Sequence, residues 1–163
     1  MTKAFIINNL EFAQNALKLV DSFEIAAFKR LQETLALTEQ NRHLSAIHVE
    51  LLGNNMRFRQ PSLHLHIKTQ LPIICQRCLD EMQIDLDLSF DYLISNTPSN
   101  EQDDSDEVDW LEANSEMDLQ ALIEDELLLA MPIAPIHETT CGNLSMHSGE
   151  KPNPFAILKG KIK

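Results

Sequence analysis

The chain has 163 residues, 44% of them hydrophobic, and a formal net charge of −12. That is one domain's worth of chain with enough apolar material for a buried core, and the charge argues against holding nucleic acid through phosphate contacts alone. No apolar run approaches the roughly 20 residues of a bilayer span, and the first residues form no signal-peptide core. A cytoplasmic protein without a membrane partner is expected.

The charge is unevenly placed. Residues 1 to 77 carry 9 basic and 6 acidic side chains, whereas no Lys or Arg stands between Arg77 and Lys151, a stretch that holds 19 of the 25 acids. From Lys151 onward there are 4 lysines and no acid. The pattern is a mildly basic head, an acidic middle and a basic tail. Three cysteines cannot all pair within one chain, which suits a reducing compartment where C-x-x-C signals metal or redox chemistry rather than a structural bridge.

Residues 1 to 20 read as an extended entry segment that turns helical near Glu11. Asp21 with Glu24 fits a capping box, and Ile25, Phe28, Leu31 and Leu35 recur at helical spacing, so a helix is predicted over 22 to 37. Residues 45 to 52 alternate, with Ile47, Val49 and Leu51 on one side and His48 and Glu50 on the other, and Gly53-Asn54-Asn55 invites a hairpin into a strand at 56 to 60. Strands follow at 62 to 74 and 82 to 94. If they pair antiparallel, the face carrying His64, His66 and Lys68 lies near the face carrying Asp85, Asp87 and Asp91. That face reads as a solvated sheet surface or as a patch for RNA or a partner, with Arg57, Arg59 and Arg77 as further cations.

Residues 95 to 109 are polar, acidic and too poor in apolar groups to offset backbone ordering, so a mobile loop is expected, with a short edge strand at 107 to 111 after it. Ser115 and Asp118 open a predicted helix over 116 to 130, which Met131-Pro132 ends. Within it Glu124, Asp125 and Glu126 form an acidic triplet. It reads as a solvated face, as a partner for basic side chains of the head, or as an acidic docking edge. Consecutive helix positions point about 100° apart, so the three do not converge on one ion. The fold class that follows is α+β, an antiparallel sheet of four or five strands with two helices packed on one face. Residues 21 to 142 make the domain, and residues 143 to 163 a C-terminal tail whose Lys151, Pro152, Asn153, Pro154 and Phe155 pre-shape an apolar hook.

The chemistry centres on Cys75-Gln76-Arg77-Cys78, two thiols in the turn between two strands, and on His137 and Cys141, four positions apart after the second helix. Zinc binding, unmetallated packing thiols and redox use are all open to such residues. There is no Gly-rich phosphate loop and no G-x-S-x-G elbow, and only 4 glycines occur, so no enzyme is expected and no small-molecule substrate.

The C-Q-R-C-L after an alternating strand, the helix I-E-D-E-L-L-L-A running into M-P-I-A-P-I-H, and the closing K-P-N-P-F-A-I-L together resemble the YceD family, the large ribosomal RNA subunit accumulation proteins of bacteria and chloroplasts. The resemblance covers residues from about 20 to 158. It implies a cytoplasmic, non-enzymatic role in the synthesis, processing or stability of large-subunit ribosomal RNA, through that RNA or a basic ribosomal protein. A thiol- or zinc-dependent interaction module, or a structural adaptor without RNA contact, is the alternative. Many family members carry a cysteine where His137 stands, another at the position of Cys141, and a further cysteine-rich knuckle that this sequence lacks. With Cys75 and Cys78 the pair His137 and Cys141 would satisfy tetrahedral zinc.

Overall fold

The computed structural model describes residues 5–38, 41, 46–53, 60–95 and 109–142. A five-stranded sheet dominates, and its strands in spatial order are also in chain order: β2 (Lys18–Glu24), β3 (Ala46–Gly53), β4 (Ser62–Ile74), β5 (Glu81–Ser95) and β6 (Asp109–Glu112). The first four pair antiparallel, and β6 runs parallel to β5. A second, two-stranded sheet joins β1 (Ile6–Ile7) to β7 (Met117–Asp118). The helices are α1 (Asn9–Gln14), α2 (Lys29–Thr34) and α3 (Leu119–Ala130).

Period-two alternation decides which side of the sheet is covered. Ile47, Val49 and Leu51 of β3 and Leu63, Leu65, Ile67 and Leu71 of β4 point to one side and are buried. Phe23, Phe28, Leu31, Leu119, Ile123 and Leu127 close over them from β2, α2 and α3. Each such side chain contributes about 1.5–3 kcal/mol through burial. The opposite side carries His48, Glu50, His64, His66, Lys68, Asp85 and Asp87 and is covered by no helix among the described residues.

The α+β class and the strands at 45 to 52, 62 to 74 and 82 to 94 agree with the sequence reading to within a residue or so. The helix expected over 22 to 37 does not form as one piece. Residues 18 to 24 are β2, residues Ile25–Ala27 make a single 3-10 turn, and only Lys29–Thr34 are α-helical. Asp21 does not cap a helix. Its carboxylate accepts from the adjacent Ser22 N–H at 2.8 Å. The helical spacing of Ile25, Phe28 and Leu31 is still satisfied, since all three are fully buried. The ladder to β3, from Lys18–Leu52 to Glu24–Ala46, outweighs local helix signals because it pairs a whole strand and places Phe23 in the core.

The second predicted helix starts later than expected, at Leu119. Its N-cap is Asp118, whose side chain accepts from Ala121 N–H at 3.1 Å, and it ends at Met131 in an extended conformation before Pro132. The expected strand at 56 to 60 falls largely outside the described residues, as do most of the acidic stretch 95 to 109 and the tail from 143.

Candidate metal centre

β4 ends at Ile74 and the chain turns at once. Cys75 N–H donates to Asp80 O at 3.0 Å and Leu79 N–H to Cys75 O at 2.9 Å, so the turn is closed by its own backbone. Within it Arg77 N–H points at Cys75 Sγ, 3.4 Å away, and Leu79 adopts φ 65° to start the return into β5. After α3 the chain runs back past this turn, where Gln76 N–H donates to Pro135 O at 2.8 Å. Gly142, at φ 79°, bends away beside Arg77 and Cys78, where an added Cβ would lie 3.3 Å from Arg77 O. Each ligand pair is thus followed by a residue in the left-handed region, a conformation that is costly for Leu79 and free for glycine.

The two pairs meet. Cys75 Sγ lies 3.6 Å from Cys141 Sγ, Cys78 Sγ 3.4 Å from His137 Nδ1, and His137 Nδ1 3.3 Å from Cys141 Sγ. All four donor atoms stand within 4.8 Å of one another, with Cys75 buried and the other three half-buried. With metal–sulfur bonds of about 2.3 Å and metal–nitrogen bonds of about 2.0–2.1 Å, the edges of a tetrahedral site are roughly 3.5–3.8 Å. The three short separations, 3.3 to 3.6 Å, lie at or a few tenths of an ångström below those edges, so a small spreading of the donors lets the set hold a metal ion.

The electrostatics favour thiolate at part of the set. Burial pushes the Cys75 thiol up, but the backbone N–H groups of Cys78 and Arg77 outweigh it and bring the group down to about 5. Cys78 receives a favourable backbone contact from Asp80, yet burial and the neighbouring sulfurs of Cys141 and Cys75 carry it up to about 12. Cys141 is raised by burial and lowered more strongly by Arg77 and His137, ending below its ordinary value. The Cys141 sulfur in turn holds His137 above the usual histidine range. Arg77 donates through Nε to Cys141 Sγ at 3.1 Å and through Nη2 to the carbonyls of His137 and Thr139 at 3.0 and 2.6 Å.

The remaining candidate residues fall in separate places. His64, His66 and Lys68 do line one face of β4. His64 Nδ1 lies 2.7 Å from Asp91, His66 Nε2 lies 2.6 Å from Asp87, and Lys68 Nζ donates to Asp87 at 3.1 Å. Contacts with His66 and then Lys68 hold Asp87 below the ordinary carboxylate range. Arg77 stands in the turn after β4, engaged with the thiols. Arg57, Arg59 and the segment Lys151 to Phe155 lie outside the described residues.

Glu124 and Asp125 share Arg30, and Glu126, on another side of the helix, takes Tyr92. Glu124 accepts from the backbone N–H of Arg30 at 2.7 Å and of Leu31 at 3.1 Å, and from Arg30 Nε at 2.9 Å. Asp125 pairs with Arg30 Nη1 at 2.7 Å, and Glu126 accepts from Tyr92 Oη at 2.8 Å. Arg30 and Tyr92 are participants that the sequence did not single out. Nothing local marks them, because their partners stand 94 and 34 residues away.

The family model described as "Large ribosomal RNA subunit accumulation protein YceD" matches residues 63–160, a span that takes in β4, the cysteine turn, β5, α3 and His137–Cys141. The chain belongs to this family. A relative from Haemophilus influenzae, named Large ribosomal RNA subunit accumulation protein YceD, is 33% identical over 106 residues, covering 56% of this chain and 60% of the relative. The chain therefore aligns with less than two thirds of that relative's length. No solved structure matches it. Among the described residues of this YceD-family chain, no helix is long and apolar enough to cross a membrane.

Proposed function

We propose that this YceD-family chain is a cytoplasmic, non-catalytic factor in the accumulation of large-subunit ribosomal RNA, and that it acts by binding a basic ribosomal protein. Membership of a family named for that accumulation supports the role. One observation carries the choice of partner: the basic side chains of β4 on the open sheet face already sit against carboxylates, His64 against Asp91 and both His66 and Lys68 against Asp87. A phosphate would have to displace those carboxylates, whereas a lysine-rich protein segment meets a chain with 25 acids against 13 bases. Direct RNA contact through His64, His66 and Lys68, with Arg57 and Arg59 as further cations, is the second reading, favoured by the common β4 face of His64, His66 and Lys68.

The four donor atoms fit zinc, which when bound supplies a structural cross-link between the β4–β5 turn and the segment after α3. Cys75, Cys78, His137 and Cys141 would hold it. Purified protein is then expected to carry close to one zinc per chain, and Cys78→Ser to lower the melting temperature sharply. Metal-free protein whose melting curve is indifferent to chelator would dispose of the zinc assignment.

Crosslinking in cells, followed by identification of both RNA and protein partners, tests the role. The expected result is recovery of a basic large-subunit protein, unaffected by Arg57→Glu with Arg59→Glu. Binding of ribosomal RNA by the purified chain that weakens steeply with salt, and falls in that double variant, would overturn the protein-partner reading in favour of RNA.

A further inference from the structure

Arg77 is numbered between Cys75 and Cys78, but its side chain leaves their turn. It crosses to the segment after α3, where Nε meets Cys141 Sγ at 3.1 Å and Nη2 meets the carbonyls of His137 and Thr139 at 3.0 and 2.6 Å. Its own backbone N–H faces Cys75 Sγ at 3.4 Å. One residue therefore touches both halves of the donor set, the first through its main chain and the second through its side chain. No other described cationic side chain, His137 apart, contacts a cysteine sulfur.

The groups it touches are those that set the geometry of the second pair. His137 and Cys141 lie on an extended, proline-punctuated segment, outside any helix or strand. Apart from the Gln76–Pro135 backbone bond and the approaches of the donor atoms to one another, the hydrogen bonds that seat this segment on the turn run through Arg77. A guanidinium suits the task because its planar fork holds donors at two separate atoms in fixed directions, Nε toward the sulfur and Nη2 toward the carbonyls, whereas an ammonium offers all its donors from one point. Charge leads to the same residue. Three thiolates and a neutral imidazole around a divalent ion leave one net negative charge, and Arg77 carries the one Lys or Arg charge among the described residues that lies against them.

We propose that Arg77 is the positioning residue of the metal centre, clamping His137 and Cys141 onto the cysteine turn and balancing the charge of the loaded site. This rests on reading the four residues as a metal site. It assigns Nε and Nη2 of Arg77 to the donor set rather than to a partner's phosphate. Outer-shell groups of this kind, when removed, lower metal affinity by about 10- to 100-fold.

The test compares full-length wild type, Arg77→Gln and Arg77→Lys by cobalt titration, read from the visible bands of a tetrahedral thiolate site, and by zinc competition against a chromophoric chelator. Wild type is expected to take one ion per chain. Arg77→Gln is expected to bind about 10- to 100-fold more weakly with the tetrahedral spectrum kept, and Arg77→Lys, which keeps the charge and loses the fork, to fall between the two. A purely structural role would lower the melting temperature of Arg77→Gln and leave its metal affinity unchanged, and that result overturns the proposal. Should Arg77→Gln fail to fold, Arg77→Lys decides, and wild-type affinity in that variant overturns the clamp. Wild type that takes up neither ion overturns the metal reading itself, an outcome distinct from both.

Discussion

Glu124→Ala should be the most damaging single change in the acidic triplet, because Glu124 does the work of a helix cap from another element. The N-cap position of α2 is Phe28, which has no side-chain acceptor to offer. Glu124, only 9% exposed, fills that place from α3 by accepting the N–H groups of Arg30 and Leu31. Losing a cap costs about 1–2 kcal/mol, and leaving the buried Leu31 donor without an acceptor adds about 1–2 kcal/mol. The sum, about 2–4 kcal/mol, corresponds to a drop in melting temperature on the order of 10 °C for a chain of this size. Glu124→Gln keeps an oxygen for the two backbone donors and should lose less. Asp125→Ala removes only a pair that is half-exposed on both sides and should melt close to wild type. Urea and thermal unfolding of the three variants provide the measurement. If Glu124→Ala and Asp125→Ala shift the transition equally, the capping argument is wrong and the triplet acts merely as a block of charge.

Phe28, fully buried with its ring 5.8 Å from Phe23, should cost about 3–5 kcal/mol as Phe28→Ala by urea unfolding. Asp87 should titrate below the ordinary carboxylate value in a carboxyl-detected NMR experiment and move back up in His66→Ala or Lys68→Met. Because its native pKa is lowered, its contribution to stability is present above the unfolded value and fades as pH falls through the native one; an Asp87 midpoint unmoved by either substitution would remove these contacts as the cause. Glu126 has the opposite sign, since burial raises its pKa and the Tyr92 hydroxyl only partly reverses this. Wild type should therefore lose stability as pH rises from the ordinary carboxyl value through the raised one. Glu126→Gln should gain on wild type across that window and hold the gain above it, while a difference that is flat with pH would contradict the shift.

The long strands were legible because one face of each is buried, so alternation had to appear in the sequence. β3, β4 and β5 each show it over seven or more residues. β2 shows it too, through Leu19, Asp21 and Phe23, but a buried-side aspartate and the overlapping Ile25-Phe28-Leu31 spacing pointed to a helix instead. That spacing was real as a statement about burial and wrong about conformation, since a 3-10 turn followed by a short helix buries the same three side chains. The parallel direction of β6 could not be read at all, because it depends on the path of the chain between β5 and β6. The two ligand pairs were visible as C-x-x-C and H-x-x-x-C, whereas their meeting depends on where α3 lies and on how the chain leaves it at Met131-Pro132. Arg77 appeared in the sequence as a cation open to a partner. Its orientation toward Cys141 is a product of that same return path.

The described side chains that looked available for a nucleic acid or a docking partner are, in the folded chain, largely committed to one another. His64, His66 and Lys68 hold β4 to Asp91 and Asp87 of β5, Arg30 joins α2 to Glu124 and Asp125, Tyr92 reaches Glu126, and Arg77 closes the cysteine turn on the segment after α3. Every one of these contacts uses a cation or a donor against an acid or a sulfur, and the chain has about twice as many acids as bases. Internal pairing therefore takes up Lys18, Arg30, Lys68 and Arg77 among the described bases, while Lys29 joins no salt bridge there. The exposed carboxylates of Glu112, Glu116 and Glu138 take part in no salt bridge among the described residues. Among the described residues, bases that are mostly paired and carboxylates that face solvent suit the proposed basic partner better than a phosphate backbone. That asymmetry of the described residues comes from the folded pairing pattern as well as from the net charge, and the proposal of a basic protein partner rests on it.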